Sequence, residues 1–180
     1  MRREARRLSL VGTLGLAAAM ALPGSALAAA PASSVLRTGL PNRTLTPGAF
    51  NPAVTQATIQ RTICVSGYTA TIRPPESYTE PLKRAQIATY GYADQRLSDY
   101  EEDHLVSLEI GGSARSPKNL WPEPHHVLVG GIDLGSYTKD KFENYLHREV
   151  CVGAITLARA RHEIAANWVA YWKAAGEPKG

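Results

Sequence analysis

The sequence lacks several features that define well-known classes of protein. Its 180 residues include only two cysteines, no repeat at a fixed period and no His-Glu-x-x-His segment. Neither cysteine has another close to it in the chain, so a structural zinc site built on thiolates is not expected. The missing His-Glu-x-x-His segment argues against a zinc peptidase. With 44% hydrophobic and 20% charged residues, the composition also excludes a disordered polyampholyte, a collagen and a coiled coil.

The chain also has little excess of positive charge once its N-terminus is set aside. The formal charge is +4, from 20 basic and 16 acidic residues, but four of the arginines and one glutamate lie in the first seven residues. The remainder carries 16 basic and 15 acidic side chains. A basic net charge is the usual electrostatic sign of a nucleic-acid partner. Charge alone therefore indicates no particular partner.

Residues 1 to 28 have the pattern of a cleavable signal peptide. Four arginines precede an uncharged apolar run over residues 8 to 22, and Pro23-Gly24 then breaks the run before Ala26-Leu27-Ala28, a small-x-small processing site. A membrane anchor is the alternative, but the run is short for a bilayer. Arg6-Arg7 also permits a twin-arginine signal. The pattern predicts a secreted protein with no stable membrane association after cleavage.

Export gives the two cysteines a structural meaning. An oxidising compartment allows Cys64 and Cys151 to pair, whereas two buried free thiols are the alternative. The pair encloses 86 residues. On the chain-entropy model a loop of that length contributes about 4 to 5 kcal/mol of stability, less any strain.

The mature chain divides into an arm and one domain of the α+β class. Residues 29 to 60 are rich in Ala, Pro and Thr and predict an extended arm, followed by a small single domain over 61 to 178. Alternating apolar residues predict a strand over 62 to 72, and short apolar segments predict strands at 105 to 110 and 119 to 121. Helices are expected from an N-cap at Thr79 to Gly91, over 138 to 150 and over 156 to 175.

Asp103 and His104 are the adjacent polar residues best suited to catalysis or metal binding. They close the acidic run Glu101-Glu102-Asp103 immediately before an apolar segment. A carboxylate can hold a hard cation, and an adjacent imidazole that is neutral near pH 7 can act as a base. The adjacent His125 and His126, in a Gly-rich loop, are expected to be exposed rather than to bind metal.

Three features follow this pair in order: Gly111-Gly112, Asn119-Leu120 and a predicted helix. Their spacing resembles the ββα-metal site of the HNH endonucleases. The resemblance covers residues 100 to 150, and the wider chain is similar to small exported HNH-like proteins of actinobacterial type. It implies a ββα-metal core with flanking short strands and C-terminal helices. It further implies that His104 is the general base, Asp103 a metal ligand and Asn119 the residue that orients the base or its loop.

The third metal ligand is expected on the following helix, where Asp140, Glu143 and His147 share one face. Asp140 is preferred because it lies nearest the first turn, with Glu143 and His147 as alternatives; an ordinary solvated helix face is the competing interpretation. Lys118 and Lys139 are candidate phosphate contacts.

The segment from Asp103 to Cys151 has five basic and seven acidic residues, so a phosphodiester can approach it only if a cation intervenes. The sequence thus predicts an exported nuclease that needs a divalent ion (Mg²⁺, Mn²⁺ or Zn²⁺) and hydrolyses DNA or RNA with little sequence preference. The alternative is a secreted, disulfide-stabilised binding module on a catalytically inactive HNH-like scaffold. The sequence carries no signal for an oligomeric state.

Overall fold

The computed structural model describes residues 32 to 180, so the predicted signal peptide lies outside the described residues. Over this range the chain forms a small α+β domain with five α-helices and two small antiparallel sheets, which confirms the predicted fold class. The helices are α1 (Ala32–Thr38), α2 (Tyr68–Ile72), α3 (Glu76–Tyr90), α4 (Ser136–Cys151) and α5 (Leu157–Ala174). The strands are β1 (Tyr100–His104), β2 (Leu120–Pro124), β3 (Leu128–Val129) and β4 (Ile132–Asp133). No helix among residues 32 to 180 combines the length and apolar character needed to cross a bilayer.

Strands β1 and β2 form an antiparallel ribbon that carries the acidic segment of the sequence. Tyr100 pairs with Pro124 at one end, and His104 pairs with Leu120 at the other. All five residues of β2 are buried, and α3 packs against both strands. The ribbon therefore draws charged side chains of β1 into the interior, where each needs a partner.

The predicted strand at 105 to 110 is wrong, because this apolar run is a buried loop with a 3₁₀ turn at Leu108–Ile110. Leu105 packs in one hydrophobic cluster and Val106 in the other, so the run joins two cores instead of lining one face of a sheet. The chain turns at Gly111, whose φ of 74° favours glycine. The second predicted strand, at 119 to 121, occurs as β2, beginning one residue later.

The predicted strand at 62 to 72 is also wrong, since this segment consists of turns followed by α2. Gly67 has a φ of 81° and interrupts any extended run, and no neighbouring strand offers it hydrogen bonds within the described chain. Helix α3 begins at Glu76, three residues before the predicted cap at Thr79, and accommodates Pro81 near its N-terminus. It ends before Gly91, as predicted, where a φ of 70° reverses the chain.

Helices α4 and α5 form most of the larger hydrophobic cluster and agree closely with the sequence pattern. Five apolar residues of α5 are buried on one side of the helix: Leu157, Ala160, Ile164, Trp168 and Trp172. The Thr156 side chain caps this helix by accepting a hydrogen bond from Arg159 N. The disulfide between Cys64 and Cys151 is confirmed, with Cα atoms 5.5 Å apart. It ties the end of α4 to the segment before α2.

The segment predicted as an extended arm contributes to both hydrophobic clusters. Val35, on α1, packs with Ile87, Tyr90 and Trp121, whereas Val54 and Ile59 pack in the cluster built by α4 and α5. From residue 32 onward this segment is therefore part of the packed domain.

Candidate active site

The ammonium group of Lys139 lies fully buried between the β1–β2 ribbon and α4. Its Nζ contacts Asp103 Oδ2 and Glu143 Oε1, and it donates a hydrogen bond to the His104 carbonyl at 2.9 Å. Glu123 Oε2 lies 3.7 Å from the same nitrogen. The predicted phosphate contact of Lys139 is wrong, because a side chain with no exposed surface cannot meet a substrate.

The charges of this cluster follow from burial and from Lys139. Burial raises the pKa of Glu123 and of Glu143 well above the usual range, and Lys139 only partly opposes this. Burial also acts to raise the pKa of Asp103, but the Lys139 charge brings it below its ordinary value. The pKa of Lys139 is raised despite burial by the surrounding carboxyl groups. Lys139 and Asp103 therefore form the central ion pair, while Glu123 keeps its proton.

His104, at the end of β1, has its two ring nitrogens in different environments. Nε2 lies 3.1 Å from the carbonyl oxygen of Ala114. A carbonyl only accepts, so Nε2 carries the proton and Nδ1 keeps its lone pair. Burial lowers the pKa of the ring, although Asp103 and the bond to Ala114 act against this. A neutral imidazole with one free acceptor nitrogen is the state that a general base requires.

A cavity of about 190 Å³ lies in front of His104, between β1, the 3₁₀ turn and α4. It is lined by one imidazole, one guanidinium and five carboxyl groups: His104, Arg73, Glu101, Asp103, Glu109, Asp140 and Glu143. Burial raises the pKa of Glu101 to about 7 and raises that of Asp140, and the Asp103 charge adds to both shifts. The predicted residues Asp103, His104, Asp140 and Glu143 therefore share one space.

The chemistry of this lining suits a hard divalent cation, because carboxylate oxygens are the ligands that Mg²⁺ and Mn²⁺ prefer in proteins. Its spacing does not complete a site, since within residues 32 to 180 no three of these carboxyl and imidazole groups bring ligand atoms within 4.8 Å of one another. The buried Oε2 of Glu109 has no hydrogen-bond partner among the described residues. Carboxyl groups from β1, the 3₁₀ turn and α4 therefore line one small cavity without meeting at a single point.

Asn119 holds the loop between the two strands rather than the His104 ring. Its Oδ1 accepts hydrogen bonds from Val106 N at 3.0 Å and Ala49 N at 3.3 Å, and its Nδ2 donates to the carbonyls of Val106 and Ser113 at 3.0 Å. Gly112 leaves room for this arrangement, since a Cβ there would lie 1.7 Å from the Val106 oxygen. Asn119 thereby fixes the loop that presents the Ala114 carbonyl to His104.

His147 does not reach this cavity, which corrects its expected role as an alternative ligand there. It lies four residues beyond Glu143, about 6 Å further along α4, and its Nε2 lies 2.8 Å from the Ile63 carbonyl. His147, Cys64 and Cys151 place their ligand atoms within 4.8 Å of one another, a spacing that suits a metal ion. The two sulfurs are bonded to each other, however.

Three residues around the site were not predicted. Glu109 and Arg73 line the cavity, and Glu123 lies behind Lys139. The sequence signal for Glu109 was a single acidic residue within an apolar run, because burying a carboxyl group without a partner costs free energy. Arg73 lies between α2 and α3, and no pattern in the neighbouring sequence indicated that it would line the cavity. Lys118 is exposed and is absent from the cavity lining, so its phosphate contact stays a prediction.

Comparison with known proteins finds no matching family model, curated protein or solved structure.

Proposed function

We propose that this protein is an exported, divalent-metal-dependent nuclease that hydrolyses phosphodiester bonds of DNA or RNA with little sequence preference. The observation that carries the proposal is the buried, neutral His104, with Nε2 bonded to Ala114 and Nδ1 available, beside a cavity lined by carboxyl groups. The Cys64–Cys151 disulfide is consistent with an oxidising, extracellular location.

In the proposed reaction, Nδ1 of His104 takes a proton from water as the water oxygen attacks phosphorus. The bond from phosphorus to the leaving oxygen breaks, and that oxygen takes a proton from solvent water. His104 then returns its proton to solvent, so the net reaction consumes one water molecule. Arg73, exposed at the edge of the cavity, is positioned to pair with a non-bridging phosphate oxygen. Asp103 and Asp140 would hold a divalent cation, which when bound would stabilise negative charge on the leaving oxygen. The carboxyl-rich lining makes such a cation necessary, because it would otherwise repel the phosphate.

The arrangement of the chain supports an HNH-like assignment. Asp103 and His104 end the first strand, Asn119 precedes the second, and α4 brings Asp140 and Glu143 to the same cavity. Strand, glycine turn, strand and helix thus follow in the order that the resemblance implies.

A plasmid-nicking assay tests this function. The mature protein is incubated with supercoiled plasmid, single-stranded DNA and RNA in EDTA and after addition of Mg²⁺, Mn²⁺ or Zn²⁺. We expect cleavage with at least one ion, none in EDTA, and products without a preferred end sequence. Intact substrates under every condition would refute the proposal.

One observation favours the inactive binding module instead. The Lys139 ammonium already contacts Asp103 and Glu143, so part of the carboxylate set is neutralised by the protein itself. The two functions separate in a titration with Mn²⁺ by calorimetry. An active nuclease should bind Mn²⁺ at the same concentrations at which Mn²⁺ supports cleavage. The inactive module should show no Mn²⁺ binding and no cleavage.

A further inference from the structure

An aromatic cavity of about 570 Å³ lies beyond the other end of the β1–β2 ribbon. Its lining includes Tyr92, Tyr100, His125 and Tyr137. The proposed hydrolysis makes no use of this cavity.

Tyr137 forms a ready stacking platform at the mouth of this aromatic cavity. Its side chain is 52% exposed although it lies in the first turn of α4. The ring stacks on His125 with centroids 5.0 Å apart and planes inclined by 11°. His125 Nδ1 lies 3.0 Å from the buried Ser136 hydroxyl, which holds the imidazole in place. The His126 ring also approaches Tyr137, with centroids 5.6 Å apart and planes inclined by 57°. The part of the Tyr137 ring that stays exposed can accept a planar ligand.

Tyr92 lines the same cavity and carries a buried hydroxyl without a partner. The side chain is 3% exposed, and the hydroxyl forms no hydrogen bond within residues 32 to 180. Such a hydroxyl costs free energy, which a ligand recovers only where the surrounding side chains shift to admit it. The acids at the rim, Asp94 and Asp99, share the single guanidinium of Arg96, so this group of three keeps one net negative charge.

A third cavity, of about 350 Å³, lies between the aromatic cavity and the candidate active site and has lining residues in common with each. It shares Tyr100 and His125 with the former and Arg73, Glu101 and His104 with the latter. Tyr100 and His104 are four residues apart on β1, which corresponds to about 13 Å. A short polymer that is cleaved at His104 can therefore extend to the Tyr137 ring.

We infer that the aromatic cavity is a base-binding subsite that holds one unpaired base of single-stranded DNA or RNA. The inference rests on the proposed function and names its substrate class. A duplex base is covered on both faces by its neighbours, so only an unpaired base can stack on Tyr137. An exposed aromatic ring backed by His125, and an adjoining cavity that leads toward His104, suit that ligand.

The test measures binding separately from cleavage. The full chain carrying His104→Ala is titrated in Mg²⁺ with fluorescent single-stranded oligonucleotides, and anisotropy reports binding. Adding Tyr137→Ala is expected to weaken binding about 5- to 150-fold, the range for one lost stacking contact. Tyr137→Phe keeps the ring and should bind within about twofold of the parent. Phe50→Ala removes another half-exposed ring, which lies outside this cavity, and should leave binding unchanged.

An abasic scan identifies the base. Removing one base at a time should weaken binding at one position, and that position should no longer matter in Tyr137→Ala. Absence of single-strand binding, equal binding by Tyr137→Ala, or an abasic effect that persists in Tyr137→Ala would overturn the subsite. Wild-type cleavage is measured in parallel: its absence refutes the nuclease, whereas cleavage with unchanged Tyr137→Ala binding refutes only the subsite.

Discussion

At the scale of single residues, the neighbours of His104 and Lys139 determine the protonation state of each side chain. His104 meets a carbonyl from the loop that follows its own strand, and this contact alone selects the tautomer. Lys139 meets carboxyl groups from β1 and α4 at once. Both side chains are buried, so their partners rather than solvent decide which form is charged.

His104→Ala is expected to lower metal-dependent cleavage about 10²- to 10⁴-fold, the usual cost of losing a general base. His162→Ala is the matched control, because His162 is exposed and lies outside the cavity. Initial rates on plasmid and on oligonucleotides measure the effect, and circular dichroism confirms the fold of both variants. Cleavage by His104→Ala at the wild-type rate would remove His104 from the mechanism.

Lys139→Met is expected to destabilise the protein by about 3 kcal/mol or more, because Asp103 then remains buried without its counter-charge. Urea unfolding followed by circular dichroism measures this loss. Lys118→Met makes the same chemical change at an exposed position and should alter stability by less than about 0.5 kcal/mol. Equal effects of the two substitutions would show that the buried ion pair contributes nothing.

At the scale of elements, the loop between β1 and β2 is the part that local sequence describes least well. Its apolar residues suggested a strand, but they are divided between two hydrophobic clusters, and Asn119 supplies hydrogen bonds that a sheet would otherwise make. The acidic residues of β1 form a strand because β2 pairs with them, and Lys139 compensates the charge of Asp103.

Asn119→Asp is expected to cost at least about 1 to 3 kcal/mol, because a carboxylate would replace the donor that satisfies the Val106 and Ser113 carbonyls. Asn51→Asp is the control, since the Asn51 side chain only accepts, from Ala53 N, and an aspartate preserves that bond. Thermal unfolding of both variants measures the difference. A destabilisation of Asn119→Asp no greater than that of Asn51→Asp would contradict the loop-holding role.

The features that sequence predicts well are those set by neighbours along the chain. The two C-terminal helices, predicted over 138 to 150 and 156 to 175, and the end of α3 before Gly91 all follow from local patterns. The position of Asp103, His104 and Asp140 in one cavity followed only from a spacing pattern. The partners of Lys139 and the approach of Arg73 depend on tertiary packing, so no local pattern carries them.

At the scale of the whole molecule, α4 connects the larger hydrophobic cluster to the candidate site. Helix α4 begins at Ser136, carries Tyr137, Lys139, Asp140 and Glu143 in its first half, and ends at Cys151. One helix thus presents the proposed base platform, the buried cation and two cavity carboxyl groups. The disulfide restrains its C-terminal end against the segment before α2.

The buried acids make the stability of the metal-free protein depend on pH in an unusual direction. Burial raises the pKa of Glu102 to about 8, and both of its oxygens lack hydrogen-bond partners in the described part of the chain. An unfolded glutamate titrates near pH 4.3. Between about pH 4.3 and 8 the unfolded state therefore releases a proton that the folded state keeps, and stability falls as pH rises. Most paired carboxylates have the opposite effect.

We expect Glu102→Gln to remove this part of the pH dependence, because a glutamine side chain does not titrate. The variant should be more stable than wild type at pH 8, by on the order of 1 to 3 kcal/mol, and nearly equal at pH 4.5. Glu76→Gln is the control, since Glu76 is exposed at the start of α3. Urea unfolding in EDTA at several pH values measures the effect without bound metal. A stability difference between Glu102→Gln and wild type that is constant across this range would mean that Glu102 titrates alike in the folded and unfolded chains.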